Sequence, residues 1–331
     1  MRHGNLAIFV PHVGCPHRCS FCDQGEITGT QSPPTGETVR RLCRQAAAHL
    51  AGRRTEIAFF GGSFTAVDRA YQRELLEAAA PFVQAGAFSG IRVSTRPDAV
   101  DEASLALLAA YPVTAVELGA QSMDDGVLAR NGRGHTARQV AEGAGRVRDR
   151  GFSLGLQMMT GLYGSTPQKD LKTARQLAGL APDTMRVYPT VVLRGTRLAR
   201  LWQAGEYRPP NLEEAVELGA RLLAFFEEER GIPVIRMGLH AQPSLEQNYL
   251  AGPWHPAFRE LCQGALLRRR LEAALAGRPP GRYWLRLDPR AVSKLTGHGG
   301  SPLEALKARG YYIKLRPKES LRGLALELEE V

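Results

Sequence analysis

Three of the five cysteines lie together near the start of the chain. Cys15, Cys19 and Cys22 follow the spacing C-x3-C-x2-C, which places three thiolates on one short loop. Soft thiolate ligands suit iron, and three of them can hold three corners of a cubane iron–sulfur cluster. The other two thiols, Cys43 and Cys262, have no motif spacing and are expected to be small buried hydrophobic side chains. Three ligands without a fourth predict an open iron that binds a molecule from outside the chain.

Two other uses of the cysteine loop stay open. A structural zinc site requires four ligands, and His12 or His17 is close enough in the sequence to complete one. A simple electron carrier requires a fourth protein ligand for its cluster, and the spacing supplies none. The electron carrier is therefore disfavoured, and the zinc loop remains the alternative to the open cluster.

The elements that must position this loop alternate between strand-like and helix-like stretches over the first 240 residues. Six strand-like stretches precede Val234, and helical patterns of roughly 10–15 residues alternate with them. This alternation predicts repeated βαβ units and an α/β fold, a partial (β/α)6 TIM-like barrel. The chemistry of such folds lies where the strands end. The unusual loops fall there: the cysteine loop, Gly61-Gly62-Ser63, Ser94–Pro97, Gln121-Ser122, Thr160-Gly161 and Pro189-Thr190.

One charged residue lies inside a predicted strand. Glu117 alternates with Val116 and Leu118, so its side chain points to the opposite face, which in a barrel is the interior. A carboxylate in that position is costly without a partner. We therefore expect Glu117 either to support a neighbouring side chain or to face the substrate.

The chain is expected to divide after residue 240. Residues 1–240 form the barrel domain, and residues 241–331 form a small basic α+β domain with three predicted strands. The net charge of +10 is concentrated in this second part, because Arg268 to Arg322 contains 14 basic and 4 acidic residues, an excess of ten. Such an excess is typical of a surface that binds nucleic acid, although a solvated basic face has the same composition.

The cysteine loop resembles the signature of the radical S-adenosylmethionine (SAM) superfamily. In that superfamily the residue before the third cysteine is usually aromatic, as Phe21 is in this chain. Gly61-Gly62-Ser63 resembles the superfamily's glycine-rich loop, whose backbone meets the methionyl amino group of SAM. The resemblance implies a [4Fe–4S] cluster on Cys15, Cys19 and Cys22, with SAM bound to the open iron. It also implies an external one-electron donor of the flavodoxin or ferredoxin type.

Further segments are similar to the radical-SAM part of the Elongator catalytic subunit and to its short bacterial relatives that lack the acetyltransferase domain. The similarity covers about residues 5–240 and departs in two ways. The first two cysteines are closer together than in the Elongator type, and about 90 residues after the barrel are expected to be too few for an acetyltransferase. The segments that carry the similarity are Phe59–Thr65, Ser94–Asp98, Val116–Ser122, Asn131–Thr136 and Val187–Thr196.

The resemblance also implies roles for polar residues at the strand ends. Ser94 and Arg96 are expected near SAM. Gln121, Arg133 and Gln157 match positions that contact the carboxylate or ribose of SAM in the oxygen-independent coproporphyrinogen oxidase group. A guanidinium forms paired hydrogen bonds with a carboxylate, and an amide both donates and accepts, so these residue types suit the two ligand groups.

The expected function is that of a radical SAM enzyme. A 5′-deoxyadenosyl radical would abstract hydrogen from a substrate, with tRNA or rRNA as the candidate substrate class. The alternatives are a radical SAM enzyme acting on a small molecule such as a tetrapyrrole, and a non-catalytic zinc or iron–sulfur protein that binds nucleic acid. Neither a signal peptide nor an apolar run of about 20 residues is found, which predicts a cytoplasmic protein without membrane contact.

Overall fold

The computed structural model of the chain describes residues 3–10, 15, 19–22, 32–50, 54–241, 243–296 and 302–331. The chain divides into two compact units, of which the first comprises Met1–Pro210 and Ile232–Trp254 and the second comprises Asn211–Gly231 and His255–Val331. This division differs from a single boundary after residue 240, because a helix from before that point belongs to the second unit. The two-domain boundary itself stays a prediction.

The first unit is built on a parallel sheet of seven strands within the described residues. The sheet follows the order β1-β2-β3-β4-β5-β6-β8, and each neighbouring pair is parallel. The strand ends that precede the loops therefore lie along one edge, and the sheet curls into the expected partial TIM-like barrel. The strands of this unit are β1 (His3–Val10), β2 (Arg54–Gly61), β3 (Ile91–Thr95), β4 (Val113–Gln121), β5 (Ser153–Thr160), β6 (Thr184–Pro189), β7 (Val192–Leu193), β8 (Val234–Met237) and β9 (Tyr249–Ala251).

Helices connect the strands, and side chains cap the N-termini of several of them. The side chains of Asp101 and Thr136 accept backbone N–H groups at the starts of their helices, which satisfies donors that have no partner within the helix. The described helices of this unit are Gly36–Ala47, Arg69–Gln84, Glu102–Ala109, Asp125–Arg130, Ala137–Asp149, Pro167–Gly179, Arg197–Gln203 and Pro243–Asn248. None of the helices among the described residues is long and apolar enough to cross a bilayer.

The strand-like stretch over residues 184–192 forms only a short strand of the large sheet. Strand β6 ends at Pro189, and the next extended residues form β7, which pairs antiparallel with β9 in a separate sheet. The Thr190 N–H makes a last ladder bond to the carbonyl of Thr160 (2.9 Å), and the Thr190 hydroxyl donates to the same carbonyl (2.7 Å). The chain leaves the parallel ladder after this residue and forms β7.

The second unit combines helices with a three-stranded sheet, as the sequence predicts for an α+β domain. Its strands are β10 (Gly281–Leu287), β11 (Tyr311–Pro317) and β12 (Leu326–Glu330), with β10 in the centre, parallel to β11 and antiparallel to β12. One face of this sheet packs on a core that includes Leu271, Leu285 and Leu295. The helices are Leu212–Leu223, continued by a π-helical turn at Ala224–Glu229, then Phe258–Leu275, Pro289–Thr296 and Pro302–Ala308.

Candidate active site at the strand ends

Ser20 anchors the cysteine loop to the first unit. Its hydroxyl donates to Asn131 Oδ1 (2.7 Å), its backbone N–H donates to the Asn131 carbonyl (3.0 Å), and its own carbonyl accepts from the Leu198 N–H (2.7 Å). Asn131 is completely buried, and its Nδ2 donates to the carbonyls of Val127 and Tyr163 at 2.8 and 2.9 Å. Buried polar groups satisfied in this way have one arrangement, so the Asn131 segment sets the position of the cysteines.

The three motif cysteines form no disulfide and are half-buried. Cys15 Sγ lies 3.5 Å from Ser63 Oγ, in the loop after β2. Arg133 Nη1 donates to Cys19 Sγ at 3.0 Å, which places a fixed positive charge beside that sulfur. Side chains from two distant segments therefore converge on the cysteine loop.

The described residues do not form a site for a single metal ion. Among them, no three His, Cys, Asp or Glu side chains converge on one point. The ligands of an iron–sulfur cluster bind separate irons, so such a cluster does not require that convergence. The zinc alternative depends on His12 or His17, and both lie outside the described residues.

The glycine-rich loop begins where β1 and β2 end together. Gly61 pairs in register with Val10 and has a φ of 105°, a conformation that favours glycine because other residues clash there. Gly62 adds no side chain, and Ser63, which is 3% exposed, begins a short 3-10 turn. The loop thus brings backbone rather than bulky side chains beside Cys15.

Arg133 links the cysteine loop to β4. Its Nη2 donates to the Gly119 carbonyl (2.7 Å) while Nη1 reaches Cys19, and its buried Nε has no hydrogen-bond partner among the described residues. Arg96 donates to the Arg133 carbonyl (2.9 Å) and forms two hydrogen bonds with Asp98, both 2.9 Å. Burial raises the pKa of Asp98, but the hydrogen bonds and charge of Arg96 outweigh it and hold that pKa below its ordinary value. Arg96, expected near SAM, therefore positions Arg133.

Gln121 is directed toward the same place by an irregular backbone. The pairing of β4 with β5 shifts register between Gly119 and Gln121, and Gln121 has a φ of 64°, which is uncommon for a residue other than glycine. Its side-chain oxygen accepts from Gln157 Nε2 at 3.2 Å. The two glutamines that the resemblance selects are thus in contact.

His135 lies beside this arrangement and is 4% exposed. One ring nitrogen, Nε2, lies 3.2 Å from the Ala120 carbonyl, whereas Nδ1 has no partner among the described residues. Burial, together with the nearby charge of Arg133, lowers the pKa of His135 to about 4. The imidazole is therefore neutral at neutral pH and adds no positive charge beside Arg133.

Ser94 and Phe21, two other residues predicted from the sequence, have different surroundings. Ser94 is half-buried on β3, in register with Glu117 of β4. Phe21 is half-buried and packs on the apolar cluster of Val192, Leu198 and Tyr207. Phe21 therefore helps to seat the cysteine loop, and a contact with SAM stays a prediction for both residues.

A buried ionic network crosses the interior of the half-barrel. Glu117 is 2% exposed and lies 3.0 Å from Arg92 and 2.7 Å from Arg186, although the Arg186 Nε–H does not point at the carboxylate oxygen. A Cβ at Gly155, on the strand between, would come within 2.7 Å of Glu117, so this glycine lets the carboxylate reach across β5. Arg92 also binds Glu56 at 2.8 Å. The expectation of an inward-facing Glu117 with a partner is confirmed.

Two residues of the site were not predicted from the sequence, although the sequence offered an indication of each. Asn131, within the quoted Asn131–Thr136 segment, anchors the loop, and Arg186 completes the ionic network. A charged residue alternating with apolar neighbours, as Arg186 does between Met185 and Val187, was the available signal.

The residues present fit the two cofactors that the resemblance implies. The thiols lie on an anchored loop, and the buried Nε of Arg133 is a donor without a partner among the described residues. An ideal Cβ at Gly119 would lie 3.0 Å from Gln121 Nε2 and 3.5 Å from Arg133 Nη2, so the glycine lets the amide and the guanidinium pack closely on β4. An amide beside a guanidinium suits a ligand that carries a carboxylate and hydroxyls.

Gly119→Ala is expected to weaken SAM binding roughly tenfold, because a methyl group forced into an occupied space typically costs about 1–3 kcal/mol. Equilibrium SAM binding to the reconstituted protein measures the effect, and the iron content should not change. Gly145→Ala is the matched control, since a Cβ there has no atom within 4 Å. Equal SAM affinity in the two variants would show that the space at Gly119 is not part of the SAM site.

Family models match the first part of the chain. A model described as the radical SAM superfamily matches residues 9–177, and a model described as the Radical_SAM C-terminal domain matches residues 182–268. Together the two models include the cysteine loop, the strand ends and the ionic network described above.

Curated relatives share part of this sequence. The tRNA uridine(34) acetyltransferase of Dehalococcoides mccartyi (strain CBDB1) is 30% identical over 242 residues, which cover 62% of this chain and 53% of that protein. The Elongator complex protein 3 of Homo sapiens is 33% identical over 155 residues, which cover 44% of this chain and 28% of that protein. The chain therefore matches about half or less of the length of each relative.

Solved structures share the fold. Elp3 of Methanocaldococcus infernus with an N-terminus deletion (1-46) has a TM-score of 0.62 and 21% identity, covering 81% of this chain and 63% of that chain. SuiB of Streptococcus suis bound to S-adenosylmethionine has a TM-score of 0.52 and 13% identity, covering 72% of this chain and 51% of that chain. At these identities the likeness shows the half-barrel fold alone.

Proposed function

The chain belongs to the radical SAM superfamily, and from that membership we propose that it cleaves SAM reductively with a [4Fe–4S] cluster held by Cys15, Cys19 and Cys22. When bound, the cluster supplies one electron, which splits SAM into methionine and a 5′-deoxyadenosyl radical. The observation that carries the proposal is the Arg133 side chain, which joins Cys19 Sγ to the Gly119 carbonyl. One guanidinium thus connects the cluster loop to the strand end where SAM is proposed to bind.

The residues around Arg133 have separate tasks in this proposal. Gly61 and Gly62 let a ligand approach the backbone closely, as glycine permits. The free Nε donor of Arg133 binds the methionyl carboxylate, and Gln121 with Gln157 binds the ribose hydroxyls. The half-barrel holds these groups in place before SAM binds, which reduces the rearrangement that the reaction requires.

The proposed substrate class is RNA, with tRNA as the first candidate. The support is the name of the bacterial relative, a tRNA uridine(34) acetyltransferase, together with the excess of ten positive charges between Arg268 and Arg322. The proposed electron donor is a small external protein of the flavodoxin or ferredoxin type. We also propose a cytoplasmic location, because the name of the bacterial relative refers to tRNA.

The substrate class is tested by measuring 5′-deoxyadenosine formation with and without bulk tRNA. The reconstituted protein receives dithionite and SAM, and the tRNA is prepared from cells that lack the gene. If tRNA is the substrate, the 5′-deoxyadenosyl radical abstracts a hydrogen atom from it, so adding tRNA should increase the yield of 5′-deoxyadenosine. With deuterated tRNA, deuterium that does not exchange with solvent should appear in the 5′-deoxyadenosine. Equal product with and without tRNA, and no label transfer, would exclude tRNA while leaving SAM cleavage intact.

A further inference from the structure

The sheet of the second unit has one face that no helix of its core covers. The side chains that point away from the core alternate with the buried ones along each strand, as a pleated sheet requires. On β10 and β11 this outer face carries two aromatic and four basic residues, of which Arg286 is paired with Glu329. The other five are Arg282, Trp284, Tyr312, Lys314 and Arg316.

Tyr312 is unusually exposed for an aromatic side chain. It is 52% exposed, and apart from the C-terminal Val331 no other large hydrophobic side chain in the described part of the chain is classed as exposed. Folded proteins usually bury most of a tyrosine ring, so a solvent-facing one beside positive charges indicates a contact surface. Strand register places Tyr312 opposite Arg282 and next to the Trp284–Lys314 pair.

Arg316 is held in a stacked arrangement on the same face. Its guanidinium carbon lies 3.5 Å from the centre of the Trp284 ring, and Lys314 Nζ lies 5.2 Å from that centre. A guanidinium stacked on an indole keeps its outer plane and its N–H donors free for a further ligand. The sheet therefore presents two flat groups, the Tyr312 ring and the Arg316 plane.

The positive charge of this face is not neutralised by nearby carboxylates. Among the described residues, Arg282, Lys314 and Arg316 form no ion pair within 4 Å, whereas Arg286 binds Glu329 at 2.7 Å. The acidic side chains of β12 thus neutralise one edge of the sheet and leave the edge at β11 basic. An unneutralised basic surface with flat groups favours a polyanion that has bases to stack.

The arginines of the neighbouring helix are already paired, which sets this face apart. Arg268 and Arg269 both bind Glu217, the latter at 3.1 Å, and Arg270 binds Glu228. Three basic side chains of this helix thus share two carboxylates, whereas Arg282, Lys314 and Arg316 of the sheet face have no carboxylate within 4 Å among the described residues.

We propose that the outer face of β10 and β11 binds an unpaired segment of RNA, with bases stacked on Tyr312 and on the Arg316 plane and phosphates beside Arg282 and Lys314. The inference rests on RNA as the substrate class and names the surface that holds it. Proteins recognise unpaired RNA mainly by stacking and by phosphate contacts, and both kinds of group are present here. The surface provides affinity, whereas the chemistry belongs to the other unit.

The stacking part is tested with Tyr312→Ala and Tyr312→Phe. Binding of a labelled, unstructured RNA oligomer of about twelve nucleotides is measured by fluorescence anisotropy with the full-length reconstituted protein. Tyr312→Ala should weaken binding about five- to a hundredfold, as loss of one stacked base does, and Tyr312→Phe should bind like the wild type. Equal binding by the alanine variant, at unchanged thermal stability, would overturn the stacking role.

The phosphate part is tested by the salt dependence of the same binding. Each lost phosphate contact lowers the slope of log affinity against log salt by about 0.7 for a single strand, so Arg282→Ala with Lys314→Ala should lower it by about 1.4. Lys307→Ala is the matched control, because Lys307 is an exposed lysine of the same unit on a helix that packs on the other face. A slope that falls equally in the control would contradict the assignment.

The two proposals fail in distinguishable ways. SAM cleavage without RNA should be the same in every variant of the sheet face, since the cluster loop is unchanged. A wild-type protein that cleaves SAM but binds neither the oligomer nor tRNA at about 50 mM salt would overturn the RNA surface and keep the radical chemistry. A DNA oligomer of the same sequence that binds as tightly as the RNA would overturn the choice of RNA.

Discussion

Cys19→Ala is expected to abolish SAM cleavage and to remove the iron–sulfur absorbance of the reconstituted protein. Cys19 is one of three cysteines with motif spacing, and its sulfur is the one that Arg133 contacts at 3.0 Å. A cluster with two protein thiolates lacks a ligand for a second iron, so it should not assemble stably. Iron and sulfide content, the absorbance spectrum and the yield of 5′-deoxyadenosine measure the loss.

Cys43→Ala and Cys262→Ala are the controls for this loss. Both thiols are completely buried. Burial raises the pKa of Cys43 to about 11 and raises the pKa of Cys262 further, so both remain protonated and act as small hydrophobic groups. Both variants should keep the cluster and the activity. Full activity in Cys19→Ala, or loss of the cluster in either control, would contradict the ligand assignment.

Arg133→Met should lower kcat/KM for SAM by about 100-fold or more while the cluster still assembles. The substitution removes two charge-assisted hydrogen bonds, to Cys19 Sγ and to the Gly119 carbonyl, and each such bond typically contributes about 1.5–3 kcal/mol. It also removes the Nε donor proposed for the SAM carboxylate. Steady-state kinetics with excess dithionite, together with equilibrium SAM binding, measures the effect.

Arg133→Lys separates charge from geometry. A lysine keeps the positive charge, but its single ammonium group does not reproduce the fork that reaches both the sulfur and the carbonyl. The expected order of activity is wild type, then Lys, then Met, with most of the change in KM. Equal SAM affinity in wild type and Arg133→Met would assign Arg133 to the cluster loop alone.

The positions of the strand ends could be predicted from local sequence patterns. Alternation of strands and helices, together with Gly61 at the end of β2, indicated where the loops would meet, because parallel strands end at one edge. The inward direction of Glu117 followed from the period of two along a strand. Each of these features depends on residues that are close together in the sequence, so local sequence patterns are enough to predict it.

The contacts that complete the site depend on residues far apart in the chain. Arg133 is 114 positions from Cys19, and Asn131 is 111 positions from Ser20. No local period encodes such a pairing, so neither the role of Asn131 nor the hydrogen bond from Arg96 to the Arg133 carbonyl was predicted. The same limit applies to Arg186, whose partner Glu117 lies two strands away across Gly155.

The end of β6 at Pro189 shows a second limit of prediction from local sequence patterns. An apolar stretch that extends to Val192 has the composition of one strand, but the parallel pairing ends at Pro189 and Val192 pairs with Ala251 of β9 instead. Likewise, the charge between Arg268 and Arg322 was evident in the sequence, whereas the division between paired arginines and the basic sheet face required the partners Glu217 and Glu228.

Formation of 5′-deoxyadenosine tests reductive cleavage of SAM at the cysteine loop most directly. The protein is reconstituted anaerobically with iron and sulfide and then mixed with SAM, with or without dithionite. We expect 5′-deoxyadenosine and methionine in equal amounts, only with dithionite and only when Cys15, Cys19 and Cys22 are all present. A protein that assembles a cluster and binds SAM but forms no 5′-deoxyadenosine under any condition, with or without RNA, would contradict it.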